Sequence, residues 1–382
     1  YHVASGKMDR FQTQKGNARS LSGNLITALT RDRGGLIWIG TTQGLTCYDP
    51  QNRSFLSYKA DPSDKKALIN NHILSLAEGR EDDIWVGTSS GICVLDKSSG
   101  RFTSFNEADR HSLTSRLTSS ILEDSRKYLW VGTSNKGLNR INPFNGLIDH
   151  FRHEPGDSTS LSSDVVPCLF EDSNGEIWVG TDTGLNRYIG ADRGFQHYTT
   201  EEGLPDNRIM AIQQDEQDNL WVSTQNGLFH FIRPEQRVMS YYKSDGLQSN
   251  RFTEAHCRLS DGRLAFGGVN GISVFYPDQI TTRTQKPQIQ ITGFDKFDQR
   301  VRSDFTSQSR ISLDHDENFF TVYFASMDLT APEKNRYKYM LEGVDDKWVS
   351  ATRSNQASYT DIKPGTYTFK VQGTNNDYVW AA

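Results

Sequence analysis

Along most of this chain, apolar and polar residues alternate in short runs, each cut off by a cluster of Asp, Asn, Ser, Thr and Gly. Alternation of that kind predicts β-strands joined by tight turns. The clearest stretch runs from Asp172 to Tyr188 (DSNGEIWVGTDTGLNRY), and the chain rewrites it at Asp32 to Tyr48, Asp124 to Ile141 and Asp215 to Phe231. Looser copies surround Trp85 and Ala265. The anchors Trp38, Trp85, Trp130, Trp178 and Trp221 stand 47, 45, 48 and 43 residues apart, and Ala265 follows at 44. A period of this size is the mark of propellers and related repeat folds.

Each copy reads as four strands. The first is apolar and ends on an acidic pair, as in Ile121-Leu122-Glu123-Asp124. Asp-x-x-Gly then makes a tight turn, in which the Asp side chain accepts a turn amide and Gly supplies positive φ. The second strand is Ile/Leu-Trp-Val/Ile-Gly-Thr, whose Gly marks close approach of another chain segment. A turn ending in Gly44, Gly91, Gly137, Gly184, Gly227 or Gly271 leads to the third strand. An aromatic-spaced fourth, such as Arg101 to Phe105, closes the unit. Four such strands cannot bury both faces alone, so neighbours stack into a ring, with Trp and Leu between blades.

The predicted fold class is therefore all-β: a β-propeller over residues 1–280, with six blade repeats visible, followed by an Ig-like β-sandwich over 281–382. The period disappears near Thr281, and alternating strands appear at Gln288 to Gly293, Asn318 to Ala325 and Thr366 to Gln372. Three departures mark individual blades. Gly79 replaces a turn Asp, Ser223 replaces a strand Gly, and Asn135-Lys136 lengthens one turn. The sixth copy, Gly262 to Tyr276, runs into Pro277 without a fourth strand of its own. Tyr1 to Phe11 aligns with Leu95 to Phe105, the end of a third strand and a fourth. That segment either closes a ring of six or belongs to a ring of seven. Both ends of the sequence read as cut, the propeller at its N-terminal side and the sandwich one strand short.

Composition narrows the function. Lys plus Arg number 42 against 47 Asp plus Glu, a formal charge of −5, so no nucleic-acid contact is expected. No apolar run approaches the length of a membrane span, and no basic-then-apolar leader is present. Cys47, Cys93, Cys168 and Cys257 sit in predicted strands without metal spacing, which predicts buried free thiols, no metal site and no cofactor.

The repeat resembles the two-component-regulator propeller repeat, matched most closely by Thr181, Gly184, Leu185, Asn186, Arg187 and Tyr188. The second domain is similar to the three-tyrosine (Y_Y_Y) domain through Asn318-Phe319, Tyr337 to Gly343, Trp348, Tyr359, Pro364-Gly365-Thr366-Tyr367 and Asn375. The resemblance implies seven blades and the periplasmic sensor of a hybrid two-component system from glycan-degrading gut bacteria. Oligosaccharides would be its ligands and transcription of polysaccharide-utilisation genes its output. It further implies a homodimer formed through the parent protein and membrane attachment through a helix outside this region. No catalytic residue carries over.

Binding residues lie outside the repeat motif and are sought where copies differ. The position fourteen before each anchor reads Asn24, Asn71, Arg116, Asp164, Asn207 and Arg251, a polar circle at the predicted channel mouth. His72 and Arg208 follow two of these, and turns on the same face add Asn135, Lys136, Asp182, Asn226 and Asn270. Long connections at Ala60 to Asn71, Asn106 to Ser115 and Glu154 to Ser163 are expected on that face too. The candidate ligand-binding set is His72, Arg116, Asn135, Lys136, Asp182, Asn207, Arg208, Arg251 and Asn270. Polar groups around a concave mouth suit sugar hydroxyls or uronate carboxylates. Tyr339, Trp348, Tyr359 and Tyr367 are sugar platforms or, at strand spacing, packing residues. A lyase or glycosidase would need a convergent acid and base, whereas Asp32, Asp124, Asp172 and Asp215 belong to turns on the opposite face. A protein-interaction scaffold is the remaining alternative.

Overall fold

The computed structural model describes residues 9–14, 17, 19–105, 113–280, 285–297, 299–302, 310–314, 317, 319–329, 332–351, 354–376 and 379–381. Residues 1–8 of the aligned N-terminal segment, 106–112 of the second long connection, and Asn318 lie outside the described residues. The chain forms two compact units, Tyr1–Pro277 and Asp278–Ala382.

In the first unit, each repeat folds into one antiparallel sheet whose strands pair in chain order. Blade 4 is representative, with strands Cys168–Glu171, Ile177–Gly180, Leu185–Gly190 and Gly194–Tyr198. Blades 1 to 5 have four strands, and blade 6 has three among the described residues. The innermost strands of successive blades pack one on the next from blade 1 to blade 6. Trp38, Trp130, Trp178 and Trp221 are buried between them.

One interaction repeats wherever the sequence allows it. Asp172 Oδ1 accepts the N–H groups of Asn174 (2.9 Å) and Glu176 (3.0 Å), fixing the turn. Its Oδ2 accepts Trp178 Nε1–H at 2.8 Å. Asp32 with Trp38, Asp124 with Trp130 and Asp215 with Trp221 repeat this bond at 2.9, 2.8 and 3.0 Å. The turn carboxylate therefore also satisfies the buried indole N–H of the next strand, which burial makes costly to leave unpaired. Blade 2, with Gly79 at the Asp position, directs Trp85 Nε1–H to Glu123 of blade 3 instead (2.8 Å). A Cβ at Gly79 would overlap the Asp83 carboxylate, which fills the vacated space. Blade 6 has Leu259 and Ala265 at the two positions, so donor and acceptor are lost together.

Two of these carboxylates are perturbed in a way that predicts acid lability. Burial pushes Asp32 up, but hydrogen bonds from Trp38, Lys97 and the Leu36 amide outweigh it and hold the carboxyl below its usual range. Burial likewise pushes Asp215 up, and His230, the Asn219 amide and Trp221 bring it down. A depressed carboxylate contributes stability above its unfolded value of about 3.9 and loses it as pH falls through the folded value. The melting temperature is therefore expected to hold constant down to roughly pH 4 and to fall below it. Asp32→Asn and Asp215→Asn should each flatten the drop in a melting series against pH.

Among the described residues the first and third long connections run partly along the rim, and their ends meet the mouth turns, where Ser89 Oγ donates to Asn70 Oδ1 (3.1 Å) and Thr183 Oγ1 donates to Ser162 O (2.8 Å). Phe102 N–H donates to Lys66 O (2.9 Å) and Phe195 N–H to Thr159 O (2.8 Å). These two connections thus cover the free edge of the next blade's outermost strand, whose amides would otherwise be unpaired. The cysteines also divide: Cys47, Cys93 and Cys168 are buried and Cys257 is exposed. Cys257 departs from expectation because the innermost strand of blade 6, Phe252–Arg258, is exposed over nearly all its length.

The second unit is a β-sandwich. One sheet orders Gln299–Arg302, Ile289–Lys296, Phe320–Ser326 and Gln356–Tyr359, and the other Val349–Ala351, Tyr337–Glu342 and Thr368–Gly373. Phe294, Phe320, Phe324, Tyr337, Leu341 and Tyr359 are buried in its core, with Tyr339, Tyr367 and Phe369 packed against them. Tyr359 O–H donates to Asp345 Oδ2 (2.6 Å), which also accepts Leu341 N–H (2.7 Å). Three of the four aromatics named as possible platforms thus pack in or against the core. Trp348 instead flanks Lys338, whose Nζ lies 5.3 Å from its ring and 4.7 Å from that of Trp380.

Candidate functional site

The mouth of the propeller is built where the turn between second and third strands meets the start of the innermost strand. Within each blade this turn bonds back to that start: Ser89 N–H to His72 O (3.1 Å), Ser134 N–H to Leu117 O (3.1 Å), Gln225 N–H to Arg208 O (3.2 Å) and Val269 N–H to Arg251 O (3.3 Å). Between blades, Gly91 N–H reaches Arg116 O (3.0 Å), Gly137 N–H Asp164 O (2.8 Å) and Gly227 N–H Asn250 O (2.7 Å). Inside the turns a threonine hydroxyl donates to the carbonyl of the closing glycine, as Thr181 does to Gly184 at 2.9 Å. The longer turn of blade 3 keeps the same lock, Thr133 to Gly137 at 2.8 Å, while Lys136 N–H donates to Thr133 Oγ1 (2.9 Å). The backbone of this face is thus fixed by hydrogen bonds, and its side chains are presented on a rigid frame.

All nine candidates fall on elements of this face. His72, Arg116, Asn135, Lys136, Arg208, Arg251 and Asn270 are exposed, while Asp182 and Asn207 are half-buried. Much of the polar circle has a structural task. Asn24, Asn71 and Asn207 accept the backbone N–H groups of Thr13 (2.8 Å), Ala60 (2.8 Å) and Thr200 (2.7 Å). Asp164 accepts His153 N–H (2.9 Å) and pairs with Arg152 at 2.6 Å. These residues secure the chain as it leaves one blade for the next. Asn207 accordingly has its carbonyl oxygen engaged, leaving the amide nitrogen for other contacts.

The residues at the next position of each blade follow this circle in the sequence. They read Leu25, His72, Leu117, Val165 and Arg208, with Arg251 bonded equivalently in blade 6. Leu25 and Leu117 are exposed apolar side chains that a search for polar deviation passes over. Their signal in the sequence is a leucine directly after Asn24 and Arg116, where His72 and Arg208 follow Asn71 and Asn207. The face therefore offers apolar side chains beside cations and amides. Asp182 adds a carboxylate oxygen that is buried and has no hydrogen-bond partner among the described residues. No group of three or more His, Cys, Asp or Glu suited to a metal occurs among the described residues.

Comparison with known proteins places these features. The two component regulator propeller model matches residues 20–43, 67–90, 112–135, 160–183 and 203–226, and the Y_Y_Y domain model matches 328–382. The chain is 32% identical over 124 residues to histidine kinase P4 of Formosa agariphila, a match covering 30% of this chain and 9% of that protein. Its fold is similar to the extracellular domain of the hybrid two component system BT3049 from B. thetaiotaomicron, with a TM-score of 0.71 at 24% identity over 95% of this chain and 49% of that one. It is also similar to the extracellular domain of BT4673 from the same organism, with a TM-score of 0.56 at 22% identity over 96% of this chain and 50% of that one. This chain thus spans about half the length of those structures. In chain order, the matched models are two component regulator propeller repeats and then a Y_Y_Y domain.

Proposed function

We propose that this chain is the periplasmic ligand-sensing region of a hybrid two-component sensor histidine kinase and response regulator. It reads oligosaccharides at the propeller mouth and so controls transcription of polysaccharide-utilisation genes. The observation that carries the reading is the order of its parts, regulator propeller repeats and then a Y_Y_Y domain. The mouth supports it, because exposed cations, amides and leucines on a hydrogen-bonded frame suit the hydroxyls, carboxylates and apolar ring faces of sugars. The four repeat carboxylates Asp32, Asp124, Asp172 and Asp215 are each engaged by a tryptophan. That supports binding without turnover. Among the described residues no helix is long and apolar enough to cross a membrane. Signalling follows if ligand favours one packing of two such regions in a homodimer, which requires different affinities for the two states.

Calorimetric titration of the full natural periplasmic region against size-fractionated oligosaccharides tests the reading, with product formation followed in parallel. Saturable binding without product is expected. Arg208→Ala should weaken it about tenfold or more, since a hydrogen bond to a charged group contributes roughly 1.5–3 kcal/mol. Product formation would make the propeller an enzyme, and silence across the panel would point to a protein partner.

A further inference from the structure

Three strand ends meet at one pole of the sandwich. Asp328 follows strand Phe320–Ser326, Asn335 precedes strand Tyr337–Glu342, and Asn376 follows strand Thr368–Gly373. Ser326 N–H donates to the Tyr337 hydroxyl (3.0 Å), and Ser326 Oγ accepts Asp328 N–H (3.4 Å). Arg336 N–H donates to Thr374 Oγ1 (3.0 Å) and Thr374 N–H to Arg336 O (2.9 Å). Asn335 Nδ2 donates to Asp328 O (3.0 Å), and Asn376 N–H to Asp328 Oδ2 (3.2 Å). Asp328, from one sheet, is thus bonded to two asparagines at strand ends of the other.

Two oxygens are left over at this pole. Asn375, in the same turn as Asn376, uses both ends of its amide: Oδ1 accepts Val379 N–H (2.9 Å) and Nδ2 donates to Gln285 O (2.9 Å). Asn335 is 5% exposed, and its Oδ1 is buried with no hydrogen-bond partner among the described residues. Oδ1 of the half-buried Asn376 is buried and unpartnered in the same way. Native interiors leave few such groups. Reversing the Asn335 amide is no remedy, because it would set an oxygen against the Asp328 carbonyl, which can only accept. Lys334, buried and next to Asn335 in the chain, donates to neither oxygen.

Two amide oxygens and a carboxylate offer lone pairs and no proton, so their complement is a cation. Calcium takes about six to eight oxygens from such groups, in a flexible shell of carboxylates, asparagine carbonyls, main-chain carbonyls and water. Magnesium demands a tighter octahedron and keeps several of its waters, and zinc favours Cys and His. A site with one carboxylate binds weakly, in the roughly 0.1–1 mM range of extracellular modules. Cysteine and histidine spacing gives no sign of it, because its ligands are oxygens.

We propose that Asp328, Asn335 and Asn376 are the protein ligands of a calcium ion at this pole of the sandwich, with water completing the shell. The ion ties the exits of two strands to the entry of a third, across both sheets. It therefore makes the stability of this unit depend on calcium in its surroundings, since an ion that binds only the folded state stabilises it by mass action.

Melting and calorimetry of the 382-residue chain, stripped with a chelator and titrated with calcium chloride at fixed ionic strength, test the site. Saturable binding of one calcium is expected, with a melting temperature that rises up to about 10 mM, tenfold above the weak end of that range. Asp328→Asn should weaken binding at least about tenfold, because ligand charge sets affinity. Asn376→Asp is the discriminating variant. It adds a carboxylate to the shell, so affinity should rise about tenfold while the calcium-free protein melts lower. An asparagine with a purely structural task would lose stability with and without the ion alike. No heat of binding and an unchanged melting curve across the series would overturn the proposal and leave the two oxygens to water. Equal calcium responses of wild type, Asp328→Asn and Asn376→Asp would place the bound ion elsewhere and overturn it as well. Magnesium matching calcium at equal concentration would reduce the effect to general screening and overturn the calcium assignment.

Discussion

Asp172→Ala is expected to cost about 3–5 kcal/mol of folding stability, the range for removing one partner of a buried ion pair. The side chain of Asp172 is wholly buried and holds two turn amides, the Trp178 indole and, at 2.9 Å, Arg233 from the next blade. Alanine leaves all four donors without their acceptor at once. Arg233 retains Glu176 as a second partner, which places the loss toward the lower end. Urea unfolding measures it, and a change below about 1 kcal/mol would show that the carboxylate is dispensable. Combining Asp172→Ala with Arg233→Met should recover part of the loss, because the uncompensated cation is then gone.

Gly180→Val is expected to cost about 3 kcal/mol or more, at the upper end for overpacking a core. A Cβ at Gly180 would lie 2.7 Å from Ile209 Cγ2 and 3.0 Å from its Cβ, and would also strike Cys168 Sγ. Ile209 begins the innermost strand of blade 5, so the added bulk pries two blades apart. Throughout the ring this glycine faces a small cross-strand partner: Ala28, Ser75, Ser120 or Cys168. Blade 5 carries Ser223 there, opposite Ala211, and its hydroxyl is buried without a hydrogen-bond partner among the described residues. Ser223 therefore marks how little bulk the position admits, and a melting curve of the Gly180→Val protein that matches wild type would refute the packing account.

The repeat was legible because its period is carried by residues whose tasks are local. Asp172 and Gly175 shape a turn within four residues of each other, and Trp178 follows at a fixed distance. The second use of the carboxylate, as acceptor for the indole, was hidden because a turn already accounts for an aspartate. It surfaces in the sequence through Gly79, where the acceptor moves to another blade, and through Leu259 with Ala265, where both partners vanish. The rim course of the long connections was not legible. Asp-x-x-Ser-Leu specifies local turns, whereas the edge these loops cover belongs to the following repeat. For the mouth, polarity singled out Arg208 and His72 together with Asn24 and Asn71, whose side-chain oxygens hold backbone. Sequence cannot separate a side chain that secures a loop from one that faces a ligand when both are polar and adjacent.

The threonine-to-glycine bond that closes the mouth turns of blades 1 to 5 has a consequence for how such proteins diversify. Blade 3 accommodates an extra residue and still closes the bond, projecting Lys136 without moving the strands on either side. Recognition and scaffold are thereby uncoupled: insertions at these turns change what the surface displays while the foldability of the blade is preserved. Lengthening one turn at a time changes only the displayed surface, and an engineer can graft peptide loops between Thr133 and Gly137 with the same freedom.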